Sequence, residues 1–227
     1  ITGSAIHYGY YMPFGLLTPA SWVAMFTRRY MHLTGCTQDA LFEIAQSTRD
    51  YAVRNPAAFF YQRPMTRADY DAGKKICNPL TLYDCCQESD GGCAIVVTTP
   101  ERARHLKQPG VSIRGVAQCI AKDQEEMTSF YRPDIARIPE MDLAADEAYA
   151  QCGLSAQDID AAVIYDAFTP IVLWQLESWG FCKYGEAADF VQAGNLRPNG
   201  RLPSNTHGGQ LSEAYIHGVN GIVEAVR

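Results

Sequence analysis

Trp22, Met25, Phe26, Arg29 and Tyr30 recur at the spacing of one helix face. Thr18-Pro19 just ahead reads as an N-cap followed by proline at the first helical position. A second helix is predicted over residues 39–53, with Leu41, Ile44, Ala45 and Ala52 facing inward, and Asn55-Pro56 ends it. No strand pattern shows in the first 70 residues. They read as a helical, loop-rich insertion, dense in Tyr and Met around residues 8–31. Those aromatic and Met side chains suit a core or a dimer interface, or the lining of a tunnel for a bulky apolar substrate.

From Asp90 the pattern changes. Asp90-Gly91-Gly92 predicts a turn, and Cys93 to Thr98 is an apolar, β-branched run that predicts a buried strand. Thr99-Pro100 should cap a short helix over Glu101 to Leu106. A second strand is expected over Val111 to Cys119, extending to Ala121. After an irregular polar stretch, 122–138, Pro139 should start a helix that Gly153 stops. Ser155 to Asp158 resembles a capping box. Ala161 to Ile164 predicts a short buried strand. Thr169-Pro170 should open an amphipathic helix through Leu173, Trp174 and Leu176, closed by Gly180. A Gly/Pro/Asn-rich loop spans 194–209. A last helix is expected from Tyr215 to Arg227, with Ile216, Val219, Ile222, Val223 and Val226 on one face. Strands alternating with helices imply an α/β fold, with a parallel or mixed sheet under helical cover.

Composition narrows the function classes. A net charge of −6 over 227 residues argues against a nucleic-acid binder. No apolar run is long enough for a membrane span. The chain opens with Ile1-Thr2-Gly3 and shows no signal-peptide pattern. None of its eight cysteines forms a C-x-x-C pair, so no zinc site is expected, and the cysteines read as small reduced core residues. Together these suggest the cytoplasm. With no initiating Met, and an end inside an expected helix, the chain reads as a piece of a longer protein.

Three segments could carry chemistry. Tyr165 falls at the carboxyl end of a predicted strand, just before a helix, where α/β sheets gather ligands. Asn205-Thr206-His207-Gly208-Gly209 offers two glycines for close backbone approach. Tyr215 is expected near the start of the last helix, where the dipole favours negative charge. His207 reads either as a base or relay or as a loop hydrogen-bonder. His217 reads as a structural residue of the last helix.

These segments resemble the thiolase superfamily. Asn205 to Gly218 is similar to N-x-x-G-G-x-x-x-x-G-H-P-x-G, with Asn205, Gly208, Gly209 and Gly218 matching in place. Tyr165-Asp-Ala-Phe-Thr resembles N-E-A-F-A, or H-D-x-F in the lipid-transfer branch. Asp90-Gly91-Gly92-Cys93-Ala94 resembles D-G-A-A-A. The resemblance runs from about Pro79 to the end. It implies a layered αβαβα thiolase fold. Residues 1–89 would be the loop domain, 90–106 the last strand and helix of the N-terminal half, and 107–227 a truncated C-terminal half.

The departures from that pattern carry the functional expectation. Thiolases place His, and Asn or His, at the two positions held here by Tyr215 and Tyr165, where they serve an oxyanion hole. By the resemblance, both catalytic cysteines of the family would lie outside this chain. Paired tyrosines are similar to the actinobacterial steroid side-chain-cleaving retro-aldolases. That implies cleavage of a β-hydroxyacyl-CoA, with Tyr165, Tyr215 and His207 catalytic and Asp166, Asn205, Gly208 and Gly209 binding substrate. The implied substrate is a 17-hydroxysteroid with a three-carbon CoA side chain. The resemblance further implies no cofactor beyond that CoA, a homodimer, and a small acyl-CoA-associated subunit with an OB-fold and a zinc ribbon, which would hold any zinc. Phenols titrate near 10, so one tyrosine needs help to act as a base. Tyr215 is expected to stabilise charge and Tyr165 to position the substrate hydroxyl, with the assignment of acid and base left open. An acyl-CoA or sterol carrier and a thiolase-type acyltransferase are the competing readings.

Overall fold

A computed structural model of the protein describes residues 7–123, 130 and 132–227. Helix α1 covers Pro19–Thr34. Thr18 stands extended before it and donates its N–H to Ser21 Oγ at 3.2 Å, and left-handed Gly35 ends it. Helix α2, Gln38–Ala52, is capped by Thr37, whose hydroxyl accepts from Asp39 N. It buries Leu41, Ile44, Ala45 and Ala52, the face the periodicity predicts. A short helix α3, Arg67–Ala72, leads to an antiparallel hairpin of β1, Lys75–Cys77, and β2, Leu80–Thr81. The sequence pattern gave no sign of this hairpin.

Helix α4, Pro100–Ala103, stops earlier than expected. Helix α5, Pro139–Cys152, runs from its proline to left-handed Gly153. A capped turn, Ala156–Asp158, precedes α6, Thr169–Ser178. Then come α7, Ala187–Gln192, α8, Gly209–Ser212, and α9, Val219–Val226. Helix α6 is central rather than amphipathic: Val172, Leu173, Trp174 and Leu176 are all buried. Its apolar surface meets α2, α5 and α7, and α2 also supports α8. Tyr30, Leu41, Ile44, Leu80, Leu173, Leu176 and Leu202 are fully enclosed in the core. Of the early aromatics, Phe26 and Tyr30 enter it, whereas Tyr8, Tyr10 and Phe14 are exposed.

Asp84 ties the hairpin region to α6. Its buried carboxylate accepts from Thr81 N at 2.7 Å, from Tyr70 Oη at 2.8 Å and from Thr169 Oγ1 at 2.8 Å. A buried charge needs such donors, because removing it from water is costly. Burial still raises its carboxyl above the ordinary carboxylate range.

Three expected strands do not form. Residues 93–98 and 111–121 lie outside any strand among the described residues, with Val96 86% and Ile120 80% exposed. A strand exists only by pairing, and no described backbone lies alongside to supply the ladder. Val116 instead uses a side chain. Its N–H donates to Gln151 Oε1 and its carbonyl accepts from Gln151 Nε2, both at 2.9 Å. Ala161 to Ile164 makes a single parallel bridge, Ala162 to Ser204, and only Ile164 is buried. The sheet seen here is therefore the two-stranded hairpin. Asp90-Gly91-Gly92 does not turn, and Cys93 is exposed rather than part of the core. The other cysteines are buried or half-buried, and all eight are free. No described helix is long and apolar enough to cross a membrane.

Candidate functional site

Two amide side chains hold the backbone that presents Tyr165. Asn205, left-handed at φ 53°, accepts from Ile164 N at 2.8 Å and donates to Ile164 O at 2.9 Å. Gln175 of α6 donates to Tyr165 O at 2.7 Å and accepts from Tyr165 N at 3.3 Å. These amides satisfy the groups a neighbouring strand would otherwise satisfy. Tyr165 is thus fixed without a sheet around it.

Its side chain meets Tyr215. The two Oη atoms are 2.9 Å apart, and the rings are tilted at 56°. Tyr215 N donates to Ser89 Oγ at 3.1 Å. Tyr215 Oη lies 3.1 Å from His217 Nδ1, which makes a chain of three titratable groups. Tyr215 does not open the last helix. It lies four residues before α9, and left-handed Gly218 caps that helix. The expected dipole effect does not apply, since it fades within the first turn. Ile216 likewise precedes the helix, and Ile222 and Val226 are exposed. Gly218, at φ 85°, lets the turn close on Tyr165: a Cβ there would stand 3.1 Å from the Tyr165 ring. Burial first, and then the Tyr215 hydrogen bond, push the Tyr165 hydroxyl above the ordinary phenol range. Tyr165 therefore holds its proton and is a donor.

Asp166 lines the same cavity as Tyr165 but is almost fully buried. Its carboxylate accepts from Gln210 N at 2.8 Å and Leu211 N at 3.5 Å, which fastens α8 beneath the tyrosine. Only glycine fits at 209: its φ is +63°, and a Cβ would stand 2.0 Å from Asp166 Oδ2. Burial pushes the Asp166 carboxyl up to about 7, against the pull of the backbone donors. Gly208, at φ 112°, lets this segment lie against Ala52 of α2. Asn205, Gly208 and Gly209 therefore shape the backbone.

His207 is buried, and neither ring nitrogen has a hydrogen-bond partner among the described residues. Its Nε2 is 3.7 Å from Glu213 Oε2. Burial lowers its pKa, and Glu213 partly offsets this. It lines a cavity of about 430 Å³ with Val163, Tyr165, Gln210, His217 and Ile222. That volume suits a small organic group. The structure thus brings Tyr165, Asp166, His207 and His217 to one cavity and joins Tyr215 to it by hydrogen bond. His217 is the residue the sequence reading missed. Its signal was Gly218, a turn former that separates Tyr215 and His217 from the helix. The nearby thiols suit a different role from nucleophilic attack: burial pushes Cys86 up to about 11 and Cys85 up to about 12, so both stay protonated.

Comparison with known proteins adds a family and relatives. The family described as thiolase C-terminal domain-like matches residues 121–227. A steroid side-chain-cleaving aldolase of Thermomonospora curvata is 57% identical over 220 residues, 97% of this chain and 56% of that protein. A 17-hydroxy-3-oxo-4-pregnene-20-carboxyl-CoA lyase of Mycobacterium tuberculosis is 52% identical over 215 residues, 95% of this chain and 56% of that protein. A solved structure, the Ltp2-ChsH2(DUF35) aldolase, superposes with a TM-score of 0.96 at 55% identity, covering 99% of this chain and 59% of that one. The chain thus spans a little over half the length of these relatives.

Proposed function

We propose, from the match of residues 121–227 to the thiolase C-terminal domain-like family, that the protein is a carbon–carbon lyase acting on a steroid acyl-CoA. The reaction is a retro-aldol cleavage of a β-hydroxyacyl thioester. The substrate is a 17-hydroxysteroid with a three-carbon CoA side chain, and the products are a 17-ketosteroid and propionyl-CoA. The observation that carries this reading is the 2.9 Å contact between the Tyr165 and Tyr215 hydroxyls at the edge of a cavity.

The chemistry needs one base and one acid. The base takes the hydroxyl proton. The bond between the carbinol carbon and the carbon α to the thioester then breaks, leaving a ketone and a thioester enolate. The acid protonates the enolate carbon. The proton lost from oxygen equals the proton gained by carbon, so two phenols that share a hydrogen bond suffice. No covalent intermediate and no thiolate is required, in keeping with the protonated Cys85 and Cys86. Acid–base assistance of this kind contributes roughly 10²- to 10⁴-fold. His207 stands at the same cavity as a second proton acceptor.

The wider architecture follows the same reading. Residues 1–89 are the loop domain, 90–106 the last strand and helix of the first half, and 107–227 part of the second. The exposed apolar residues of 93–98 and 111–121 then become strands of a layered sheet that chain outside these 227 residues completes. The working assembly is a homodimer bound to a small OB-fold and zinc-ribbon subunit, a reading supported by the likeness to the Ltp2-ChsH2(DUF35) aldolase. Any zinc resides in that subunit.

The test is product analysis with the full-length protein, its partner and a β-hydroxyacyl-CoA. The lyase reading predicts ketone and propionyl-CoA in equal amounts, with no free CoA consumed. Tight binding without product would favour a carrier, and dependence on added CoA would favour an acyltransferase. Either result overturns the lyase reading.

A further inference from the structure

Gln210 is a polar side chain of the candidate site that the proton transfers leave unused. It is 3% exposed and lines the cavity beside Tyr165. Its backbone is held on both sides: Gln210 N donates to Asp166 Oδ1 at 2.8 Å, and Gln210 O accepts from Gln87 N at 3.1 Å. Left-handed Gly209 just before it has no room for a Cβ against Asp166. The side-chain amide, by contrast, has no hydrogen bond among the described residues, and its Oε1 is shut in without a partner. Leaving a buried amide unmatched costs stability. On a cavity wall, such a group points to a ligand atom that completes it.

The reaction supplies an atom of the right kind. When the carbon–carbon bond breaks, its electron pair spreads over the carbon α to the thioester and onto the thioester oxygen. That oxygen carries most of the new negative charge until the carbon is protonated. The two phenols serve the hydroxyl proton and the enolate carbon, which leaves the oxygen in need of a donor. No Lys or Arg is among the described residues that line the cavity. With Oε1 shut in, Nε2 is the end of the Gln210 amide that can meet a ligand.

We propose that Gln210 is a further catalytic residue, whose Nε2 donates a hydrogen bond to the thioester oxygen as it becomes the enolate oxygen. The inference rests on the lyase reading above and deepens it by naming the group that holds the developing charge. A donor fixed in place before the reaction needs no reorganisation as charge appears. The neighbours do not compete for this role. The Asp166 carboxylate is engaged with Gln210 N and Leu211 N, and His207 Nε2 lies toward Glu213, 3.7 Å from Oε2. Helix α8 is only Gly209–Ser212, so its hold on Asp166 fixes where the Gln210 side chain starts.

Gln210→Met keeps the length of the side chain and removes the donor. Two assays read it in full-length protein with its partner. The first is cleavage of the β-hydroxyacyl-CoA. The second is exchange of the α hydrogen of propionyl-CoA in D2O, followed by proton NMR: the enzyme removes the α proton, forms the same enolate and returns a deuteron from solvent. One preorganised donor contributes roughly 10²- to 10³-fold. Gln210→Met should lose that factor in kcat for cleavage and in the exchange rate, with KM nearly unchanged. It should melt no lower than wild type, because the amide it loses is unmatched in the free protein. A normal kcat, a loss confined to KM, a lower melting temperature or a failure to fold overturns the proposal. The exchange assay separates this from the lyase reading. Wild type that exchanges propionyl-CoA but cleaves nothing refutes the lyase reading, and the exchange rate of Gln210→Met still decides the role of Gln210. Wild type that cleaves, with Gln210→Met equally active, refutes the role of Gln210 alone.

Discussion

Asp166→Asn should remove the largest part of the pH dependence of stability at this site. The Asp166 carboxyl is fully buried and is pushed up from 3.8 to about 7, chiefly by burial. In the unfolded chain it titrates near 3.9. Below about pH 4 both states carry the proton. Between about pH 4 and pH 7 the folded state keeps a proton that the unfolded state releases. Unfolding free energy therefore falls as pH rises through that window and levels off above it. At about 1.36 kcal/mol per pH unit, the window is worth on the order of 4 kcal/mol. Asp84 and Glu177 are also raised by burial and add a slope of the same sign, so the wild type alone does not isolate Asp166. Asparagine keeps an acceptor for Gln210 N–H and carries no charge. Urea denaturation of wild type and Asp166→Asn across this pH range, followed by far-UV circular dichroism, gives the difference directly. Wild type should lose several kcal/mol relative to the variant between pH 4.5 and pH 7.5. A constant difference across that range would refute the assignment of Asp166 as a buried carboxyl held near neutrality.

Other substitutions probe the scaffold. Asn205→Ala removes the partners of both Ile164 N–H and Ile164 O; at about 1–3 kcal/mol per stranded group, it should cost roughly 2–6 kcal/mol by urea denaturation. Asn205→Asp keeps the acceptor but loses the donor, and it should fall between Asn205→Ala and wild type. Gly209→Ala drives a methyl to 2.0 Å from Asp166 Oδ2 and forces a left-handed alanine; a loss of about 3 kcal/mol or more is expected from the broken hydrogen bonds of the buried carboxyl and the backbone strain. A Gly209→Ala protein as stable as wild type would mean that Asp166 does not hold α8.

The helices were legible wherever their ends carry local signals. Thr18-Pro19 starts α1, and Pro139 and Gly153 bound α5, because capping depends on a few adjacent residues. Strands were not legible in the same way. The β-branched runs at 93–98 and 111–121 mark what could pair, but pairing needs a neighbour, and no described backbone lies beside them. The apolar pattern places the start of the last helix too early because Ile216 continues its period. The left-handed Gly218 breaks the helix there, and a hydrophobic pattern cannot register that. Tyr165 and Tyr215 are 50 residues apart, and only the motif resemblance drew them together before their contact was seen. The contact of Tyr215 with His217 follows from two successive left-handed residues, a backbone detail outside the reach of residue spacing.

The central claim is that Tyr165 and Tyr215 act as one acid–base unit. A kinetic double-mutant cycle measures this directly, comparing kcat of wild type, Tyr165→Phe, Tyr215→Phe and the double variant on the β-hydroxyacyl-CoA. Each single loss should fall in the range of about 10²- to 10⁴-fold, and the double variant should be little worse than either single variant, because removing one phenol already disables the pair. Independent losses that multiply, or a single variant with near-normal turnover, would contradict it.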